Sequence, residues 1–210
     1  MMKKNASYII CLAVLFGMIF PACVLAEISV GVTKGDVIEY QVTCTGNVPD
    51  EHNVDSAKIE VTGVDGTQID IKLTSTYPNG TQTTDTTTLN LQTGQIGDSF
   101  IIPANLSNTD TFIEQTEGTI TISAVEERTY ADAKRTVVTA TTTHNMFYWD
   151  QATGFLLEAT STYSDFTITT KAENTNIWQS QAFGIDPIFP IVLLAVTIGA
   201  VLAILLKTRK

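Results

Sequence analysis

The chain is poor in the residues that carry out most enzyme chemistry. Among 210 residues there are two histidines and three cysteines. His52 sits in a polar stretch with Asp50, Glu51 and Asp55, and His144 adjoins a strand-like run. The first group is the one conceivable metal set. Its spacing fits no common zinc or calcium loop, so a solvated acidic loop is expected and no metal ligand is assigned. No glycine-rich phosphate loop and no nucleophile elbow occurs. Glu126, Glu127 and Asp132 could pair as acids across a cleft. Arg128, Lys134 and Arg135 stand beside them, so surface ion pairs are the simpler reading. No catalytic residue, no cofactor and no enzymatic activity is expected.

Cysteine and basic residues are scarce in an informative way. Cys11 and Cys23 fall in an N-terminal apolar segment, which leaves only Cys44 beyond it. No disulfide can then form within the rest of the chain, and stability must come from a core. Cys44 lies in VIEYQVTCT and is expected to pack as a small apolar residue. The 12 Lys and Arg against 22 Asp and Glu give a net charge of −10. Five of the bases, Lys3, Lys4, Lys207, Arg209 and Lys210, lie at the two ends; the remaining seven face all 22 acids, a balance of −15. Such a surface repels nucleic acid and anionic lipid, so nucleic acid is excluded as a partner.

Two apolar segments frame the chain. MMKK, an apolar run over 8–20 and then PACVLAE have the form of a secretory signal cleaved after Ala26. Lipid attachment at Cys23 and an uncleaved N-terminal helix are the rival readings. Residues 188–206, IFPIVLLAVTIGAVLAILL, carry no charge and have the length of a membrane-spanning helix. The basic residues that follow place that end in the cytoplasm. The expected organisation is a signal peptide over 1–26, an extracellular β domain over 27–183, a transmembrane helix over 187–206 and a cytoplasmic tail over 207–210. A single-pass cell-membrane protein with its ectodomain outside is expected, with Trp178 and Phe183 near the membrane surface.

Between those segments threonine is heavily used, as in TQTTDTTTLN and VVTATTTH. Alternation of period two recurs with turn signals between the runs. Strands are expected over 37–45, 57–64, 67–76, 81–91, 96–102, 119–127, 135–143, 144–149, 155–163 and 166–173. Asp65-Gly66 is read as a hairpin turn. Residues 103–118 are expected to be a loop or one helical turn, and 128–134 a connection. The expected fold class is all-β: an antiparallel meander forming a curved half-barrel or barrel, with a two-sheet sandwich as alternative. Asn79-Gly80-Thr81 and Asn105-Leu106-Ser107 are acceptor sequons in turns, so Asn79 and Asn105 are candidate N-glycosylation sites.

The densest chemistry is NMFYWDQATGFLLEATSTY, residues 145–163. Two apolar runs flank Asp150-Gln151-Ala152-Thr153-Gly154, where an Asp can bond back to the turn and a Gly can take positive φ. Met146 and Tyr148 should face one way, and Phe147 and Trp149 the other. Phe155, Leu157 and Ala159 should share a face. A strand apolar on both sides is central or lies beneath a second layer, so these side chains are read first as core. The second reading makes Phe147, Tyr148, Trp149, Phe155 and Leu157 the wall of a ligand face.

The segments GDVIEYQVTCTG, NGTQTTDTTTLNLQTG, SFIIPANL, ERTYADAKRTVV and FYWDQATGFLLEATSTY resemble uncharacterised archaeal cell-surface proteins. Those have a signal peptide, a β-rich ectodomain and a C-terminal transmembrane anchor. The resemblance covers most of 32–178 and implies no chemistry. The curved meander with its YWD…TG.LLE hairpin also looks like the half-barrel of bacterial lipoprotein carriers, at the level of fold alone. Two functions are expected. The first is a membrane-anchored structural or interaction module that binds envelope proteins or glycans. The second is a carrier or sensor that holds a lipid or other apolar ligand on the concave face of the sheet. A concave face left unfilled by its own side chains favours the second.

Overall fold

Alternating apolar and polar residues, broken by tight turns, fold the described residues into strands, with one single-turn helix at Asp50–His52. The computed structural model describes residues 28–94 and 99–178. The expected signal peptide, membrane helix, basic tail and Phe183 lie outside the described residues, as do 96–98 of the strand expected at 96–102; of the rest, Ile101 makes an isolated bridge to Phe155. Among the described residues no helix is long and apolar enough to cross a membrane.

The strands are β1 (Val37–Gly46), β2 (Ser56–Asp65), β3 (Gln68–Thr76), β4 (Gln82–Asn90), β5 (Thr111–Glu114), β6 (Gly118–Thr121), β7 (Ala124–Tyr130), β8 (Ala133–Thr141), β9 (Asn145–Asp150), β10 (Leu156–Thr162) and β11 (Phe166–Thr175). Nine form one antiparallel sheet in the order β4-β3-β2-β1-β11-β10-β9-β8-β7, and β5 and β6 form a separate hairpin. Two meanders, β1 to β4 and β7 to β11, are joined where the first strand pairs with the last. That register runs from Ile38 against Thr175 to Gly46 against Phe166. Among the described residues β4 pairs only with β3 and β7 only with β8, so the sheet is open and closes no barrel.

The sheet bends twice. Leu73 of β3 and Phe147 of β9 line one hollow although they stand five strands apart. In a flat sheet that separation would be about 24 Å. At the other end β7 comes within 8 Å of β11, four strands away. Tyr130 there donates a 2.8 Å hydrogen bond to Glu158 of β10. Glu158 pairs with Tyr148 whereas Ala159 pairs with Phe147, so this second bend closes over the opposite face.

Packing follows the bends. The first core holds Ile38 and Tyr40 of β1, Ile59 and Val61 of β2, Ile69 and Ile71 of β3 and Leu89 of β4, with Ile101 and Phe155. In the second, Phe112, Ile120 and Ile122 of the β5–β6 region lie against Val138, Phe147, Trp149, Leu156 and Ala159. The sheet is thus covered on that face by a small second layer. Phe147 stacks on Trp149 at 4.9 Å, Phe112 meets Trp149 edge-on at 5.4 Å, and the indole N–H donates to the Ser99 carbonyl at 2.7 Å. Among the described residues every strand finds a partner and the sheet carries two filled cores.

The β9–β10 hairpin forms as its sequence indicates. Asp150 is buried, and its carboxylate accepts from Thr153 N and Oγ1 at 2.9 Å each and from Arg135 Nε at 2.7 Å. Gly154 takes φ +75°. The expectation that Phe155, Leu157 and Ala159 share a face fails at a bulge. Trp149 pairs with Leu156 and Tyr148 with Glu158, so Leu157 is the extra residue and the phase slips by one. Leu156, not Leu157, joins Ala159 in the second core.

Other expectations are corrected. Residues 111–114, read as part of a loop, form β5. The single strand expected at 119–127 is two, β6 and β7, separated at Ile122-Ser123. Residues 128–134 are a tight hairpin turned at Ala131 and Asp132, both at positive φ (+46° and +58°). Surface ion pairs, the simpler reading of the acids here, do form at two of them: Glu126 with Arg128 at 2.8 Å and Glu127 with Lys134 at 2.5 Å.

Gly154 tests how tightly the hairpin is seated. A Cβ there would fall on the Ile102 carbonyl, whereas at Gly80 (φ +81°) it would meet nothing within 4 Å. Gly80→Ala should cost only the left-handed backbone strain, about 1–2 kcal/mol. Gly154→Ala should cost clearly more or prevent folding, as read from urea midpoints; equal midpoints would mean a loosely seated hairpin.

Candidate functional site

The first bend leaves its inner face partly unfilled. Residues 99–106 and the β5–β6 hairpin occupy one part of that space. Next to them lies a trough of about 230 Å³. Its walls are Tyr40 and Val42 of β1, Ala57 of β2, Leu73 and Ser75 of β3, Phe147 of β9, Leu156, Ala159 and Ser161 of β10, and Ile168 and Thr170 of β11, with Phe100 at the inner end. At its outer end stand Glu51, His52 and Val54 of the β1–β2 connection and Tyr163 of the β10–β11 turn. Regular strands hold most of these positions, so the trough has rigid walls.

The trough is graded. Deep inside are Tyr40, Phe147, Leu156 and Ala159, all buried. Toward the outer end Ser75, Ser161 and Thr170 place hydroxyls among Leu73 and Ile168, all half-buried. Tyr40 closes the floor: its phenol donates to the Leu156 carbonyl at 2.8 Å. Leu156 is the residue at which the β10 bulge begins, so this bond also fixes the slipped register. Burial pushes the Tyr40 phenol well above its ordinary value.

At the mouth four rings lie side by side. His52 stacks on Phe166 at 6.2 Å, Phe166 on Tyr163 at 4.5 Å, and Tyr163 on His144 at 6.4 Å, with interplanar angles of 23°, 25° and 9°. Tyr163 is 47% exposed. Both histidines of the chain are therefore in this row. They do not converge with carboxylates: among the described residues no three His, Cys, Asp or Glu side chains are grouped to hold a metal ion. Cys44 is free and half-buried at the same end, its Sγ 3.6 Å from the His52 carbonyl.

Of the five candidate ligand-face residues, Phe147 alone lines the trough. Trp149 points to the same face but is buried in the second core. Tyr148 faces the other way, with the Arg128 guanidinium 3.9 Å over its ring. Phe155 and Leu157 are fully buried in the first core. Sequence reasoning missed Tyr40, Phe100, Leu156, Tyr163 and the role of His52. Asn79 is exposed in the β3–β4 turn, with its Oδ1 held by Thr81 N and Oγ1 at 2.9 and 2.7 Å. Asn105 is exposed at φ +61° beside Ser29.

A second hollow, about 760 Å³, lies between loop segments and the short β5–β6 hairpin, near Ile28, Leu91, Leu106 and Ile113. It is larger, but only that hairpin gives it strand walls, and the first trough, walled by six strands, is the better candidate.

No known family description matches the sequence, and no curated protein is similar to it. A solved structure of the siderocalin Ex-FABP, which "functions through dual ligand specificities", is 8% identical, with 75% of this chain and 80% of that chain covered and a TM-score of 0.26. A likeness that slight carries no argument about ligand.

Tyr40→Phe should cost about 1–2 kcal/mol, because it leaves a buried carbonyl without its donor. The raised phenol pKa sets the pH dependence. Neutral Tyr40 is favoured by folding, so its contribution is complete below the unfolded value near 10 and is lost as pH rises above it. The gap between wild type and Tyr40→Phe, measured from urea midpoints between pH 8 and pH 11, should narrow above pH 10 (roughly the free phenol value). A constant gap would mean that Tyr40 is not buried in this way.

Proposed function

We propose that the domain is an extracellular carrier or sensor for a small apolar or amphiphilic molecule held in the trough, tethered to the membrane by the helix expected at 187–206. The observation that carries this reading is the unfilled space between Tyr40, Leu73, Phe147 and Phe100. Its volume lies below the roughly 300–1,000 Å³ of drug-sized pockets, which suits one chain or ring rather than a multi-chain lipid. The path of the chain supports the reading. Ser29 bonds to Ala104, and Trp178 lies against Arg135, so both ends leave the domain at the end away from the mouth. A tether there points the mouth outward, toward solutes rather than toward the anchoring membrane.

One observation favours the interaction-module reading alongside. β4 is exposed on both faces along residues 82–88 and pairs on one side only among the described residues. It carries no Lys or Pro, and Asp85 on the inner face is its one charge, so a strand of an envelope protein could add to it.

Native mass spectrometry of residues 27–182, secreted from the natural host, tests the carrier. A reproducible added mass that extracts into organic solvent is expected. Ala57→Phe, which fills the trough from a half-buried position, should abolish that mass with little change in melting temperature. A bare wild-type mass, or an adduct indifferent to Ala57→Phe, would overturn the reading.

A further inference from the structure

The mouth of the trough has a charge sign. The loops and strand ends that form it are residues 44–56, 75–83, 141–147 and 160–168, and none of them is Lys or Arg. The same segments contain Asp50, Glu51, Asp55 and Asp165. Glu51 lines the trough itself. Asp85 of β4 pairs with Leu73, on the face that the trough uses. The seven bases of the domain lie elsewhere: Arg128, Lys134 and Arg135 are on β7 and β8, Lys58 is engaged with Glu39 at 3.5 Å, and Lys34, Lys72 and Lys171 are outside the lining.

The rings add a second, independent feature. Tyr163 and Phe166 stack face to face beside the opening, and Tyr163 presents surface to solvent. Phe166 and His144 stack along Tyr163, so what the row offers a head group is apolar surface for its methyl groups, and the sign preference comes from the carboxylates. Carboxylates around a cleft with low-dielectric walls focus a negative potential. An apolar interior, a belt of hydroxyls and an anionic aromatic rim follow one another along a single axis.

We propose that the trough selects single-chain amphiphiles with a cationic ammonium head and discriminates against anionic heads. The alkyl chain lies between Tyr40, Leu73, Phe147 and Leu156, and the head rests at Glu51 against the Tyr163–Phe166 stack. This inference rests on the carrier reading and adds the head-group class to it. A fatty acid or alkyl sulfate would bring its charge to the acidic rim without a basic partner.

The test is displacement of the neutral fluorescent probe N-phenylnaphthylamine from residues 27–182 by decyltrimethylammonium, decyl maltoside and decyl sulfate, each below its micelle concentration. Decyltrimethylammonium should displace the probe at roughly tenfold lower concentration than decyl sulfate, with the maltoside between. Glu51→Gln combined with Asp85→Asn should shrink that gap several-fold, as should high salt, while leaving the maltoside unchanged. Displacement by decyl sulfate as readily as by decyltrimethylammonium would overturn the proposal while the carrier reading stands. Failure of the probe and of all three amphiphiles to bind would overturn the carrier reading itself. Ala57→Phe separates trough from surface: ammonium binding that survives it is adsorption to an acidic domain and counts against the proposal.

Discussion

Everything in this molecule depends on the pairing of β1 with β11. These strands come from opposite ends of the domain; the Thr175 hydroxyl reaches the Val37 carbonyl across 138 residues of chain. Each half is a local meander that its turns can build alone. Only the β1–β11 ladder makes one sheet of them, and only one sheet can bring β3 and β9 to opposite sides of a single hollow. Closing so long a loop costs chain entropy that local hairpins do not, so this pairing sets the non-local character of the fold.

The trough exists because β4 does not close it. On the inner face Thr83, Asp85 and Thr87 pair with Ser75, Leu73 and Ile71. Large apolar residues at those three positions would pack over the space. Polar ones leave it open at the outer end, while Leu89, farther along the same face of β4, is buried in the first core. The same economy appears at the floor, where the Tyr40 phenol fixes the bulged Leu156 carbonyl and presents its ring to the hollow. Trp149 and the β5–β6 hairpin hold β9 and β10 rigid from the far side of Phe147.

Elements with local turn chemistry were legible in the sequence. Asp65-Gly66 turns β2 into β3, and Asp150 with Gly154 builds the β9–β10 turn. The Ala131-Asp132 turn was hidden because neither residue is glycine or asparagine, yet both adopt positive φ. β5 was hidden because four residues give too short an alternation to read. The candidate site was barely legible. Its walls come from six strands, whose convergence is a property of the first bend and not of any segment. The bulge then exchanged Leu157 for Leu156, and a period of two cannot reveal an inserted residue. One site signal was present throughout: the four mouth segments contain no Lys or Arg, although nothing local showed that they meet.

The central claim is that both halves of the sheet wall one ligand site. Methyl-resolved NMR of residues 27–182 with N-phenylnaphthylamine bound tests it most directly. The account predicts intermolecular contacts from the probe to Leu73 and Ala57 of the first meander and to Leu156, Ala159 and Ile168 of the second. Contacts confined to one meander, or to the second hollow near Ile28 and Leu106, would contradict it.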